Sequence, residues 1–582
     1  MSGSPSPTVL PSLSIDNVPE TKTTFSDRTP GEYGANGGAD PAGIMISLVN
    51  RCCPLWLTAR NEHTAKQIFV NSFLIIGGGS AGCVLARRLS DEPSNHVTLL
   101  EAGTATPNLI LSDPKQWPLL AGSSVDWSFR TTVQPHTDSR THDWSRGKVL
   151  GGSSSINAMA HVRGHPTDFD YWAQNGCDGW GYLDLLPYFI RSETSTYSNS
   201  PYHGDSGPLK LMQPNNPHVI TQCYMAAATE LGHTPTDEHN GSCMTGPTLN
   251  TLTIFDNKRL SVADAYLTPV LSRDNLKIID HCLVDQLLFD EQKCCTGAAY
   301  IRNGKQHRIY GNAGVILCGG TIGSPQILLR SGIGAADQLE HLDIKPRVNL
   351  CGVGENLHDH CLGAGNIYHS KRALPVSQHQ HSESLLYVDT SNPSSAPDLV
   401  FACVVLPVVT EKFKSPDPGS AYTLMYGVTS PKSRGFLRLQ SSDPTAQPTI
   451  NPRYLSEASD RDLFCEALDF ARELGASQMF DQWREREYLP GPGLTSEAEK
   501  RTFNAAAAYT HHHPVGTCRM GTDKYAVVSP ELGVYGINNL FVVDASIMPR
   551  ITTGPTNAAV IAVAEKASDI LLQRPILKPA SI

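Results

Sequence analysis

The feature that most constrains the fold of this chain is the run of residues from Phe73 to Glu101. An apolar segment that favours a β-strand, residues 73–76, leads directly into residues 77–82, whose sequence is GGGSAG. A helical pattern follows, and a second strand-like segment ends on Glu101. This order of strand, G-x-G-x-x-G, helix, strand and acid predicts a βαβ unit that binds a dinucleotide.

Each position of the motif has a physical reason. Gly77 permits the tight turn, Gly79 lets the backbone approach a pyrophosphate, and Gly82 lets the helix pack closely on the strand. The free N–H groups at the start of the helix attract phosphate oxygens. Glu101 is placed to accept hydrogen bonds from a ribose diol, which favours FAD or NAD over NADP. The motif alone does not separate FAD from NAD.

The charge and cysteine content exclude several classes of protein. The chain has 582 residues and carries 46 Lys and Arg against 56 Asp and Glu, so it lacks the basic excess of a nucleic-acid-binding protein. Its 15 cysteines form no C-x-x-C pair, which argues against a zinc site and favours reduced thiols. We therefore expect a cytoplasmic protein with no nucleic-acid partner.

Residues 1–70 differ in composition from the rest of the chain. Residues 1–43 are rich in Ser, Pro, Thr and Gly, which predicts disorder. Residues 44–57 are fairly apolar but are well short of the ~20 residues that span a bilayer. We expect a partly disordered N-terminal extension, no secretory signal and no integral membrane segment.

Five further blocks carry a resemblance to a known family. They are residues 146–157 (RGKVLGGSSSIN), 320–334 (GTIGSPQILLRSGIG), 351–360 (CGVGENLHDH), 513–521 (HPVGTCRMG) and 539–549 (NLFVVDASIMP). In this order the blocks strongly resemble the glucose–methanol–choline (GMC) oxidoreductases. The resemblance implies an FAD-dependent enzyme with an α/β fold.

The implied architecture has two interleaved domains. A Rossmann-like FAD-binding domain would be assembled from the discontinuous segments 71–160, 275–345 and 515–575. A substrate-binding α+β domain carrying an antiparallel sheet would comprise residues 161–274 and 346–514.

The resemblance also implies which residues contact FAD. The residues that would hold the ADP half are Gly77, Gly79, Ser80, Ala81, Gly82 and Glu101. The residues that would hold the flavin half are Gly151, Gly152, Ser153, Asn157, Asp544 and Ala545. The backbone of Val284 would meet the adenine. Some members of the family carry a histidine that bonds covalently to the flavin, and this chain has Ile156 at that position. We therefore expect non-covalent FAD.

His513 is the leading candidate for the catalytic base. Alcohol oxidation on a flavin needs a base for the hydroxyl proton while hydride leaves carbon for flavin N5, and histidine has a pKa suited to that task. His513 stands at the position of the family's catalytic histidine. We expect His511 and His512 to be structural or exposed, and in an extended segment His511 shares the face of His513. No carboxylate or cysteine with ligand spacing accompanies them, so no metal site is predicted.

The chain departs from the family at the second catalytic position. Family members usually place a His or Asn where this chain has Pro555, whose side chain forms no hydrogen bond. Asn557, two residues later, is the candidate replacement. Two interpretations of Asn557 stay open: it approaches the substrate, or it caps the helix predicted over 558–572.

The leading prediction is therefore an FAD-dependent alcohol oxidase or dehydrogenase. It would oxidise a small alcohol to the carbonyl with O₂ or a quinone as electron acceptor. The alternative is a non-redox lyase or cyclase of the same fold, in which His513 acts as acid or base. The substrate region shows no transferable signature, although its mixed polar and aromatic residues lean towards an uncharged primary or benzylic-type alcohol.

Overall fold

The computed structural model describes residues 71–106, 109–198, 200–390 and 396–582. The predictions for the N-terminal extension, residues 1–70, lie outside the described residues. Within the described ranges, no helix is long and apolar enough to cross a membrane. The thirteen cysteines in the same ranges are all free thiols.

The described ranges form ten α-helices and 26 strands. The helices are α1 (Ser80–Ser90), α2 (Leu109–Ser112), α3 (Pro166–Gln174), α4 (Tyr182–Ser192), α5 (Val219–Glu230), α6 (Gly320–Arg330), α7 (Ala336–Glu340), α8 (Ala458–Ala476), α9 (Glu497–Ala507) and α10 (Thr556–Leu571). The strands are β1 (Asn71–Ile76), β2 (Asn95–Leu100), β3 (Phe129–Arg130), β4 (Asp143–Trp144), β5 (Glu193–Ser195), β6 (Leu209–Leu211), β7 (Gly246–Leu249), β8 (Ile254–Phe255), β9 (Lys258–Arg259), β10 (Leu276–Ile279), β11 (Leu283–Phe289), β12 (Cys295–Arg302), β13 (Lys305–Tyr310), β14 (Gly314–Leu317), β15 (Ile333–Gly334), β16 (Val348–Asn349), β17 (Cys361–Gly363), β18 (Ile367–Ser370), β19 (Ser384–Val388), β20 (Leu399–Val404), β21 (Ala421–Val428), β22 (Phe436–Arg438), β23 (Thr449–Asn451), β24 (Arg484–Leu489), β25 (Ala508–Thr510) and β26 (Leu540–Val542).

A five-stranded parallel sheet holds the glycine-rich motif. Its strand order is β10-β2-β1-β14-β26, and every neighbouring pair is parallel. The last four residues of β1 are all buried, as expected for a parallel strand covered on both faces. Because β10, β14 and β26 come from distant parts of the chain, the sheet is assembled from discontinuous segments.

A larger, antiparallel sheet is formed by other segments of the chain. Its main path is β24-β18-β21-β20-β19-β7, and β17 joins β21 to β25. Strands β20 and β21 are buried along their whole length. Together with the parallel sheet, this arrangement confirms the predicted α/β fold class with an antiparallel sheet. The domain boundaries given above stay a prediction.

A small apolar cluster, formed by residues of the antiparallel sheet and of adjoining loops, is separate from the main core. We call it the sheet-face cluster: its buried members are Val162, Met244, Leu362, Ala364, Leu385, Tyr387, Val400, Ala402, Val404 and Met425. Neighbouring residues such as Leu386 and Phe401 belong to the main core instead. This split follows from the alternation of side chains along a strand.

Candidate active site

The glycine-rich turn lies at the carboxyl end of β1, between the parallel sheet and α1. Gly77 has φ +110°, and a Cβ there would come within 2.3 Å of the Cys318 carbonyl oxygen. A Cβ at Gly82 would come within 1.9 Å of the Gly77 oxygen, so helix and turn are in direct contact. At Gly79 the nearest atom would be 4.0 Å away, so the space in front of this glycine is open.

A second glycine turn packs against the first. Gly151 donates its N–H to the Gly78 carbonyl at 2.7 Å, and a Cβ at Gly152 would lie 2.7 Å from the Gly79 Cα. The hydroxyl of Ser153 accepts a hydrogen bond from the Gly147 N–H at 3.2 Å. The two predicted cofactor loops therefore form one continuous backbone surface beside the amino end of α1.

Asn157, at the end of the second loop, is held by a residue that sequence reasoning missed. The Arg259 guanidinium donates to the Asn157 side-chain oxygen at 2.8 Å and to its carbonyl at 2.6 Å. Arg259 is 4% exposed, and burial lowers its pKa to about 10. It lies in β9, which a two-residue turn joins to β8, and no sequence motif marks this position.

Glu101 lies buried beside the glycine turn. Its two carboxylate oxygens accept hydrogen bonds from the N–H groups of Gly78 and Gly103, each at 2.8 Å. Burial raises the pKa of this carboxyl to about 7, although the N–H groups act in the opposite direction. The acid is thus fixed in place by the turn next to it.

Asp544 and Val284 make protein contacts of their own. The Asp544 carboxylate accepts hydrogen bonds from the Gly320 N–H at 2.9 Å, the Ser324 hydroxyl at 2.6 Å and the Ser546 N–H at 2.8 Å. It therefore ties the start of α6 to the short helix Ala545–Ile547. The carbonyl of Val284 accepts from the Arg330 guanidinium at 3.0 Å.

These residues fit a bound dinucleotide. The backbone surface is open at Gly79, the free N–H groups of α1 face the same turn, and a buried carboxyl lies next to it. A side chain at Gly79 would occupy the space that a pyrophosphate needs.

His513 lies in a cluster with His360 and His511. The Nδ1 atoms of His513 and His360 are 3.0 Å apart, and the ring centroids of His511 and His513 are 4.2 Å apart. The rings of His511 and His513 therefore lie side by side, although the segment is not extended, since His512 has φ +60°. His511 is half-buried, and within the described ranges its Nδ1 has no hydrogen-bond partner.

Pairing of β17 with β25 brings these histidines together. Leu362 pairs with Tyr509, and His358 pairs with Val515. Between these two pairs, the segment that follows β25 contains two more residues than the segment that precedes β17. His512 begins the resulting bulge with φ +60°. The Arg146 guanidinium donates to its carbonyl. Such a bulge re-aims neighbouring side chains, and here it returns His513 to the side of His360.

The electrostatics keep the cluster neutral at pH 7. Burial is the largest cause of a pKa well below the usual range for His511 and His513, and it lowers the pKa of His360 to about 4. Neighbouring histidines add to the effect on the pKa of His511 and His513. One nitrogen from each of the three rings lies within 4.8 Å of the other two, a spacing that could hold a metal ion. His360 comes from a distant segment, so the sequence of residues 511–513 alone does not predict this spacing.

Asn557 does not cap α10. The helix begins at Thr556 with Pro555 as its N-cap residue, so Asn557 lies two residues after the cap, inside the helix. Its side-chain oxygen accepts a hydrogen bond from the Ser80 hydroxyl at 2.6 Å. The helix-cap interpretation is therefore wrong, because the predicted start at residue 558 was two residues late. Asn557 contacts the cofactor loop, and a catalytic role for it stays a prediction.

Comparison with known proteins identifies the family. The GMC oxidoreductase N-terminal family model matches residues 71–362 and the C-terminal model matches residues 431–564. The chain belongs to the GMC oxidoreductase family. Pyridoxine 4-oxidase of Microbacterium luteolum is 41% identical over 496 residues, which cover 84% of this chain and 97% of that protein. Human mitochondrial choline dehydrogenase is 37% identical over 545 residues, covering 87% and 90%.

Solved structures agree with the sequence relatives. The crystal structure of a pyridoxine 4-oxidase from Mesorbium loti matches with a TM-score of 0.83 and 40% identity, over 86% of this chain and 98% of that one. A formate oxidase structure matches with a TM-score of 0.81 at 26% identity. This GMC oxidoreductase is an FAD-dependent enzyme that oxidises an alcohol group of a small molecule to the carbonyl. Of the two functions that the sequence leaves open, the comparisons support alcohol oxidation.

Proposed function

We propose that the protein is an FAD-dependent oxidase for the hydroxymethyl group of an aromatic alcohol of the pyridoxine class. The observation that carries the proposal is the similarity to two pyridoxine 4-oxidases, which exceeds the similarity to the choline dehydrogenases by sequence. The product is the corresponding aldehyde, and O₂ is the electron acceptor.

The sheet-face cluster supports a neutral aromatic substrate. His360, Leu362 and Ala364 alternate along one side of the β17 segment, so the cluster lies on the same side as the histidines. Tyr509, the pairing partner of Leu362, packs against the cluster. Aliphatic and methionine side chains suit the faces of a ring and offer no counter-charge to a permanent cation such as choline.

Tyr387 supplies a polar group within this cluster. Its side chain is fully buried, its ring meets His239 edge-on at 4.8 Å, and its hydroxyl has no hydrogen-bond partner among the described residues. Buried hydroxyls are normally paired. We assign the Tyr387 hydroxyl to a polar substituent on the substrate ring.

His513 acts as the base in this proposal. Bound FAD supplies the acceptor for the hydride that leaves the alcohol carbon. His513 accepts the hydroxyl proton, and its neutral ring at pH 7 is ready for that step. Pro555, at the second catalytic position, offers no hydrogen-bonding group. His511, whose ring lies against that of His513, assists His513 in its place.

The cofactor is held without a covalent bond. Residues 77–82, Glu101 and residues 151–153 bind FAD through backbone N–H groups and one carboxyl. Ile156 packs with Leu120, Val125 and Val149 and has no nucleophilic atom. Acid precipitation of the protein should release all of the flavin into the supernatant. The free thiols support a cytoplasmic location.

Anaerobic reduction tests the function. The holoenzyme is mixed with pyridoxine, benzyl alcohol and choline, and bleaching of the visible flavin band is followed. The second-order rate constant for flavin reduction by pyridoxine should be at least about 10-fold above that for choline. Reduction by choline alone would overturn the substrate class, and turnover of a substrate without any bleaching would overturn the redox function. Oxygen consumption then separates O₂ from a quinone as acceptor.

A further inference from the structure

His360 has a fixed protonation pattern. Its Nε2 lies 2.8 Å from the carbonyl oxygen of Thr429, the residue directly after β21. A carbonyl oxygen only accepts hydrogen bonds, so the proton of this pair is on Nε2 of His360. Burial lowers the pKa of His360 to about 4, so at pH 7 the ring carries one proton. Nδ1 of His360 is therefore a hydrogen-bond acceptor.

This acceptor determines the tautomer of His513. The two Nδ1 atoms are 3.0 Å apart, a hydrogen-bond distance. If His513 had no proton on Nδ1, two lone pairs would face each other in a buried site. The proton of the neutral His513 ring is therefore on Nδ1, and Nε2 is left with a free lone pair.

We propose that His360 is a positioning residue that holds His513 in the tautomer whose Nε2 accepts the alcohol proton. In this arrangement the Nε2–H of His360 donates to the Thr429 carbonyl, and the Nδ1–H of His513 donates to Nδ1 of His360. The proposal rests on the proposed function, since it takes His513 to be the base.

Other contacts fix the His513 backbone but not its ring. The Asp359 carboxylate accepts the His513 N–H at 2.7 Å and the Thr510 hydroxyl at 2.6 Å. In the part of the chain that the structure describes, His360 is the side chain that forms the recorded hydrogen bond to the His513 ring. The other titratable or charged groups that face His513 are His511, His512 and Arg146, in addition to Asp359.

Two substitutions of His360 separate positioning from a structural role. His360→Leu removes the acceptor and leaves the Nδ1–H of His513 without a buried partner, so the other tautomer gains and kcat should fall about 10- to 100-fold. His360→Asp restores an acceptor at this place. It should recover most of the loss and move the acid limb of the pH–kcat profile to higher pH, because an anion stabilises the protonated form of His513.

The control is His341→Leu, a substitution of an exposed histidine at the end of α7, which should leave kcat unchanged. FAD content and thermal midpoint are measured for every holoenzyme variant. Unchanged kcat in His360→Leu, or equal losses in both His360 variants with an unmoved acid limb, would overturn the proposal. If His360→Leu does not retain FAD, the comparison of His360→Asp with the parent protein decides: a shifted limb supports the proposal and an unmoved one overturns it.

His513→Ala tells the two proposals apart. If that variant still turns over, His513 is not the base and the proposed function fails together with this one. If it is inactive while His360→Leu is fully active, only the role of His360 is wrong.

Discussion

The hydroxyl of Ser80 donates a hydrogen bond of 2.6 Å to the side-chain oxygen of Asn557, 477 residues further along the chain. The bond joins the first turns of α1 and α10, two helices that pack against each other. Asn557 is thereby directed towards the predicted pyrophosphate turn, which gives it a physical role that sequence reasoning did not consider.

Asn557→Ala should weaken FAD retention without slowing catalysis. Loss of the acceptor leaves the Ser80 hydroxyl unpaired beside the cofactor loop, so FAD content after dialysis and the thermal midpoint should fall. The kcat per bound FAD should stay within about 2-fold of the parent value. Ser80→Ala is the matched partner, and the double variant should be no worse than either single one. A ~10²-fold fall in kcat at full FAD content would instead favour a catalytic Asn557.

Gly79 and Gly77 should respond differently to alanine. At Gly79 an added Cβ meets only the Cys318 oxygen, at 4.0 Å, so Gly79→Ala should fold normally but bind FAD weakly. At Gly77, with φ +110° and a contact of 2.3 Å, the same change should destabilise the fold itself. Circular dichroism melting and flavin absorbance measure the two effects. Normal FAD affinity in Gly79→Ala would contradict the placement of the cofactor.

FAD retention should depend on the ionisation of Glu101. Burial raises its pKa to about 7, and hydroxyl groups of a bound ribose favour the carboxylate over the neutral acid. Binding therefore releases a proton below that pKa, so affinity should fall as the pH drops below about 7 and level off above it. Dialysis of the holoenzyme at several pH values measures this effect. Glu101→Gln should bind FAD more weakly and show no such pH dependence.

His513→Ala should abolish turnover and keep the flavin. Removal of a general base typically costs ~10²–10⁴-fold in rate. Retained visible absorbance would show that the cofactor site is intact. His512→Asn is the control, because asparagine tolerates the φ of +60° at this position and the His512 ring is not part of the proposed chemistry.

Tyr387→Phe should affect substrates selectively. If the Tyr387 hydroxyl contacts a polar ring substituent, its loss should raise KM for pyridoxine by about 2- to 10-fold. Benzyl alcohol has no such substituent, so its KM should not rise. An equal effect on both substrates would mean that the hydroxyl serves packing alone.

Much of the fold was accessible from local patterns. The short-range βαβ unit gave β1, α1, β2 and Glu101 in their observed order, because turn chemistry and hydrophobic runs act over a few residues. The start of α10 was predicted two residues late, since Asn557 has the chemistry of a cap while Pro555 holds that position.

The candidate site was accessible only in part. The family, the cofactor class and the candidate base can be predicted from the amino-acid sequence, because each depends on motifs whose residues lie close together. The hydrogen bonds of Asn557 with Ser80, of Arg259 with Asn157 and of His360 with His513 are visible only in the folded chain. The physical reason is that these contacts join residues 102 to 477 positions apart through strand pairing and helix packing, and no local pattern records which distant side chain completes a hydrogen bond.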